Sequence, residues 1–289
     1  MGAVQSVNTH TRPFTAPACD GTPLHFTLLA TLATLVSAAG VDMNWANRLR
    51  SSFRYYPQAV LDVGANVGLW TTMARRVWPN ASFQMVEANP ALRPRLEKIG
   101  VPVEIAILGN ESKPVQFFMA KKGAFHADKG SSLFREQANA HNFEAVTVQQ
   151  RTLDELFYSP RQHHSSTPYQ LLKVDAQGAE LLILQGGRRM LAAVDVIVLE
   201  LSVGEYNLGG PAWFEVHQGV DQLGFRAWDV SEQHRGAHGV LLQLDVIFVK
   251  KGHALWAKRP QDGVHVSHPS GGGSGSAGGG DGGGSSDGE

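Results

Sequence analysis

In AVLDVGANVGLWTTMA, residues 59–74, a short apolar run ending at an acid leads into a glycine-spaced turn, and the turn into an apolar pattern of helical period. That succession continues along the chain. LWTTMARRVW (69–78) reads as a helix packed on one face, FQMVE (83–87) as a strand closed by Asn-Pro, and VEIAIL (103–108) as a third strand. Pro94 keeps the helix between the last two short or irregular. Strands separated by helical segments of this length require right-handed crossovers and hence a parallel sheet. The middle departs from the pattern: VQFFMA (115–120) and EAVTVQQ (144–150) read as antiparallel strands flanking a polar segment with GSSL at 130–133. Alternation then resumes with QLLKVDA (170–176), the glycine-stopped helix AELLILQGG (179–187) and VIVLEL (196–201). FRAWDV (225–230) and LLQLDVIFVK (241–250) would finish the sheet as an antiparallel pair. The expected fold is α/β, a mostly parallel sheet with an antiparallel edge and helices on both faces.

In such sheets ligands bind beyond the carboxyl ends of the strands, near the point where the strand order reverses. A strand, a glycine turn and a helix start aim backbone N–H groups at that point. Gly64 permits the sharp turn and Gly68 the close approach of the helix start. The spacing G-A-N-V-G lacks the third glycine of G-x-G-x-x-G, so the dinucleotide fingerprint is not met. Asp62 beside the turn would repel a pyrophosphate but suits a cation. Glu87, at the end of the next strand, is placed to accept hydrogen bonds from ribose hydroxyls. Taken singly, Asp62 also suits a turn cap and Glu87 a solvated strand end. Together they point to adenosine joined to a cationic sulfonium portion, S-adenosyl-L-methionine. A nicotinamide-dependent oxidoreductase is the rival that the missing glycine and Asp62 disfavour.

VLDVGANVG, VEANP, GSSL, RTLDEL, LLKVDAQGAELLILQGG and LDVIFVK, in this order between about Val60 and Lys250, resemble the FkbM-type methyltransferases. KVDAQGAELLILQGG is the most specific piece. The resemblance implies a Rossmann-like class I methyltransferase fold and O-methyl transfer from S-adenosyl-L-methionine to a sugar or small-molecule hydroxyl. It further implies that Gly64, Ala65, Asn66 and Gly68 wrap the amino-acid part of the cofactor beside Asp62. Glu87 would then hold the ribose, and Ala106 and Ile107 would border the adenine. Gln177 stands where the family commonly has an acid, and Asn66 where many methyltransferases have a glycine.

Methyl transfer is an in-line displacement, so the enzyme must align the acceptor and remove its proton. Asp175, at the end of its strand, is the first candidate; capping the next helix is its other reading. Glu180, in the first turn of that helix, favours the helix dipole, and Glu200, near the end of the following strand, can face the same cleft. Lys173 reads as a partner for an acid. Asp175 and Glu200 could share a divalent cation, but no third ligand is evident and no histidine pair has metal-ligand spacing, so no metal is assigned. The insertion at 112–150 is the natural seat of acceptor selectivity, with Ser131 and Ser132 as candidate contacts. Trp213, Phe214 and Trp228 would line a pocket or the core.

The ends of the chain read differently. Residues 1–45 form an extension, 46–260 the methyltransferase domain and 261–289 a Gly/Ser-rich tail too poor in apolar residues to order itself. In the extension, MGAVQS matches a myristoylation pattern, and LHFTLLATLATLVSAAGV (24–41) carries an amphipathic helical stripe interrupted by threonines. Membrane association through a lipid or this helix therefore stays open, with a cytoplasmic location otherwise expected. A net charge of -1 without basic-aromatic runs argues against a nucleic-acid partner, and the single Cys19 excludes a disulfide framework. A cofactor-binding but catalytically silent scaffold is the remaining alternative.

Overall fold

Asp62 and its neighbours Val60, Leu61 and Val63 lie in a strand buried along its whole length, β1 (Ala59–Val63), at the middle of a seven-stranded sheet. The computed structural model describes residues 41–121, 131–136, 142–158, 167–204 and 207–258. The expected helix at 24–41, the myristoylation motif and the Gly/Ser tail lie outside the described residues.

Helix α1 (Asn44–Ser51) precedes β1, and α2 (Leu69–Val77) follows the glycine turn. Strand β2 (Ser82–Glu87), a 3-10 turn (Pro90–Leu92), helix α3 (Arg93–Glu97) and strand β3 (Val103–Ile105) complete the first half. The central segment holds β4 (Ile107–Leu108), β5 (Pro114–Ala120), β6 (Arg135–Glu136), β7 (Phe143–Arg151) and α4 (Leu153–Tyr158). Then come β8 (Leu171–Val174), α5 (Glu180–Gln185), α6 (Arg188–Leu191), β9 (Val196–Ser202) and β10 (Asn207–Leu208). Helix α7 (Trp213–Gln222), strands β11 (Phe225–Arg235) and β12 (Leu241–Lys250) and helix α8 (Leu255–Lys258) follow. The main sheet runs β11-β12-β9-β8-β1-β2-β3. Strands β3, β2, β1, β8 and β9 are parallel, while β12 and β11 form the antiparallel edge. The order reverses between β1 and β8, which places the switch point at their carboxyl ends.

Alternation along each strand assigns the two faces. Ala59, Leu61 and Val63 of β1 join Leu172, Val174, Ile197, Leu199 and Phe248 in the core beneath α4, α5, α6 and α7. Val60, Leu171, Val196, Val198, Ile247 and Val249 face the other way, against Trp45, Leu49, Trp70, Val77 and Leu96 of α1, α2 and α3. Trp228 is buried here, edge-on to Phe53 and Trp256, and so belongs to the core. Trp213 and Phe214, by contrast, are exposed at the start of α7.

The sequence reading of 103–108 as one strand is corrected. The chain leaves the main sheet at Ala106, and Ile107 and Leu108 pair instead with Gln150 and Arg151 of β7. Strand β5 pairs antiparallel to the rest of β7, so the insertion builds a separate three-stranded sheet, β4-β7-β5. No helix among the described residues is long and apolar enough to cross a membrane.

The antiparallel edge depends on Phe225, which is fully buried where β11 leaves α7. Phe225→Ala should cost about 3–5 kcal/mol, read as a lowered midpoint in chemical denaturation with an unchanged slope.

Candidate functional site

The carboxyl ends of β1, β2 and β8 converge on the turn after β1. Gly64 and Gly68 have φ near +75°, and Asn66 has φ 51°. A Cβ at Gly64 would collide with the Asp175 carbonyl oxygen, and one at Gly68 with the Ile99 side chain. Both positions favour glycine for backbone conformation, and Gly64 demands it for space as well. The amides of Gly64 and Ala65 donate to Val86 O at 2.9 and 3.1 Å, which folds the turn over the end of β2. Glu87, buried there, accepts from the amides of Asn66 (2.7 Å) and Asn89 (2.8 Å), one on each oxygen. Burial raises the Glu87 pKa, and the backbone amides and Lys173 only partly offset it. The Asn66 Oδ1 is buried without a hydrogen-bond partner. Ala106 donates its amide to Glu87 O at 3.0 Å, and Ile107 is buried just beyond it.

Lys173 joins the halves of the site. Its ammonium lies 3.3 Å from Asp62 Oδ1 and 3.2 Å from Asp175 Oδ2, and donates to Gly64 O at 3.1 Å. Burial alone would push its pKa down, but the Asp175 and Asp62 carboxylates overcome this and hold it well above the usual lysine value. Asp62 is fully buried, and its Oδ2 accepts from Thr71 Oγ at 2.6 Å. Asp62 and Lys173 face each other across β1 and β8 in register, so their pairing is built into the sheet. Thr71 escaped the sequence reading. Its signal is position, two residues into the helix after the turn, where a side chain can reach back to the preceding strand.

Asp175 does not cap α5. Its carboxylate instead meets Lys173 and accepts from Gln177 Nε2 at 3.3 Å. Glu180 holds the turn in its place: its Oε1 accepts from the amides of Ala176 (2.9 Å) and Gly178 (3.0 Å), and the residue is buried. Burial is the main cause that pushes its pKa up to about 7. Gln177, at φ 52°, also donates through Nε2 to Glu200 Oε2 at 2.7 Å, bridging the two acids. Its carbonyl accepts from Ser132 Oγ and Asn207 Nδ2, both at 2.7 Å. Ser132 is thus committed to the turn, and Ser131 Oγ accepts from the Ala120 amide.

Glu200 lies beyond Asp175 in the same row, with Gln243 Nε2 donating to its Oε2 at 2.8 Å. Burial and the neighbouring carboxylates of Asp175 and Asp245 raise its pKa well above the ordinary value. Asp245, opposite Glu200 on β12, is pushed up to about 7, by burial first and then by Asp175. The sequence reading missed Asp245 and Gln243 and read His234 as surface or structural; all three lie on the distant antiparallel edge. A separate cavity of about 220 Å³, lined by Tyr55, Tyr56, Gln170, Asp195, His253 and Lys258, opens at the opposite ends of β8 and β9, away from this row.

Residues 62–227, from Asp62 to just inside β11, match the methyltransferase FkbM domain. The chain belongs to this family. No curated protein matches it in sequence. Solved structures with similarity include a precorrin-6y C5,15-methyltransferase from Geobacter metallireducens GS-15, 16% identical, covering 71% of this chain and 86% of that one at a TM-score of 0.37. A putative O-methyltransferase from Klebsiella pneumoniae is 16% identical, covering 80% and 91% at 0.38. A 1,6-didemethyltoxoflavin-N1-methyltransferase from Burkholderia thailandensis, bound to its acceptor and S-adenosylhomocysteine, is 13% identical, covering 82% and 93% at 0.37.

Glu180 supplies a pH test of the site's construction. With its folded pKa raised to about 7 from the ordinary glutamate value of 4.5, the native state holds its proton more tightly than the unfolded chain. Stability from this group is therefore complete below about pH 4.5 and is lost as pH rises through 7. At roughly 1.4 kcal/mol per pH unit, that loss amounts to a few kcal/mol. Glu180→Gln should flatten the decline between pH 5 and 8 in denaturant titrations.

Proposed function

We propose that this chain is an S-adenosyl-L-methionine-dependent methyltransferase acting on a hydroxyl of a sugar or small-molecule acceptor. The observation that carries the reading is the convergence of Asp62, Glu87 and Asp175, from the ends of three adjacent parallel strands, on one left-handed glycine turn. The cofactor fits the donor set. Asn66 offers a buried acceptor oxygen with no partner inside the protein, which a donor of the cofactor can take. Gly64, Ala65, Asn66 and Gly68, beside Asp62, would hold its amino-acid portion, Glu87 the ribose, and Ala106 with Ile107 the adenine. Each Glu87 oxygen keeps a second lone pair beyond the amide it already accepts. When bound, the cofactor supplies an electrophilic sulfonium methyl group.

The protein's own groups handle the acceptor. Asp175 is a third exposed, and its second oxygen receives only a long bond from Gln177, so it can take a hydrogen bond from an incoming hydroxyl. Lys173 pairs with that carboxylate and fixes its direction. Glu200 extends this row of acids beyond Asp175, tied to it through Gln177, with its pKa raised by burial and by the neighbouring carboxylates. Glu180 acts through the Ala176–Gly178 turn and is a positioning residue. The acid-lined acceptor side supports O-methylation, since carboxylates orient a hydroxyl and accept its proton.

Thermal unfolding with S-adenosylhomocysteine, run beside NAD, tests the cofactor class. Ligand at about 100 times Kd should stabilise by roughly 2.7 kcal/mol, a rise on the order of 5–10 °C. Glu87→Ala should abolish most of the rise. A rise with NAD alone would overturn the proposal, and cofactor binding without transfer to any acceptor would favour a silent scaffold.

A further inference from the structure

Beyond Asp175 the row of acids ends in a cluster whose outer members, His234, Gln243 and Asp245, have no part in the methyl transfer proposed above. Glu200 on β9 faces Asp245 on β12 in register, and Gln243, two residues before Asp245, faces His234 on β11. Because side chains alternate with period two, all four project from one face of the sheet, the face that also carries Asp62 and Lys173. The three ligating atoms of Glu200, His234 and Asp245 lie within 4.8 Å of one another.

The details favour a cation over a simple ion pair. His234 Nε2 is 4.0 Å from Glu200 Oε1 and 3.9 Å from Asp245 Oδ1. Both separations are too long for a hydrogen bond and lie at the outer limit of an ion pair. Two atoms that share an ion through bonds of about 2.1 Å lie closer together than this, so the side chains would draw inward to hold one. Glu200 is divided in function. Its Oε2 is occupied by the amide donors of Gln177 and Gln243, which fixes the plane of the carboxylate and leaves Oε1 facing His234. Such outer hydrogen bonds are what orient carboxylate ligands in metal sites. Two carboxylates and one neutral imidazole carry a charge of −2, which a divalent ion neutralises. The imidazole selects a first-row transition ion over magnesium or calcium. His234 is 40% exposed, which gives the ion a route in.

We propose that Glu200, His234 and Asp245 form a binding site for a divalent first-row cation, of which Mn²⁺ is the probe. On the methyltransferase reading given above, the ion would sit on the acceptor side of the row, linked to Asp175 through Gln177, and its open positions would take acceptor oxygens. Binding of the ion itself does not depend on that reading.

The test is titration of the full chain with Mn²⁺, followed by loss of the free-ion electron paramagnetic resonance signal. The expected result is one bound Mn²⁺ per chain, with binding weakened at least tenfold in both His234→Ala and Asp245→Asn. Each variant's thermal unfolding with S-adenosylhomocysteine is measured alongside, and a rise matching that of the unaltered chain shows that the cofactor end of the site is folded. Stoichiometric binding that both variants retain, or no binding by the unaltered chain, overturns the proposal. If the S-adenosylhomocysteine rise persists while Mn²⁺ fails to bind, the cation site falls and the methyltransferase reading stands. Mn²⁺ binding that the variants lose, in a chain that ignores S-adenosylhomocysteine, leaves the site standing and removes its link to methyl transfer.

Discussion

The ammonium of Lys173 is the contact on which the site's geometry rests. It brings together a carboxylate from β1, a carboxylate from the end of β8 and a carbonyl from the glycine turn, at distances of 3.1–3.3 Å. Buried charges are costly unless paired, and removing one partner of such a set leaves an uncompensated charge in a poorly solvated place. Asp62 is enclosed completely, and its carboxylate is met by the Lys173 ammonium and the hydroxyl of Thr71. The glycine turn is thus anchored from beneath by electrostatics and from the side by amides donating to Val86 and Glu87.

Much of this was legible in the sequence because it is local. AVLDVGANVG gives a buried strand, a terminal acid and a left-handed turn within ten consecutive residues, and all three occur where the pattern puts them. The parallel strands were equally legible, since apolar runs buried on both faces leave little choice of element. The antiparallel closing pair was read correctly in kind but β11 was cut short, because its second half, SEQHR, is polar and partly exposed.

What escaped depends on register or on sheet exchange. VEIAIL has the composition of one strand, and nothing in it announces that Ala106 leaves one sheet and that Ile107 enters another. Asp175 had the profile of a helix cap, yet the nearby ammonium claimed it, and Glu180 took over the turn's amides from inside the helix. Gln243, Asp245 and His234 are far from Glu200 in sequence, and only the pairing of β9, β12 and β11 brings them to it. No local pattern encodes a neighbour across three strands.

The departure of the chain at Ala106 separates two kinds of variation. The residues that shape the glycine turn belong to the main sheet and its connections, whereas β4, β5 and β7 form a sheet of their own, tied to that region among the described residues through the Ala106 amide and the Ser132 bond to Gln177. The smaller sheet can therefore be lengthened, reshaped or exchanged between relatives without disturbing the register of the larger one. A lineage with this architecture can change what it modifies while conserving how it modifies.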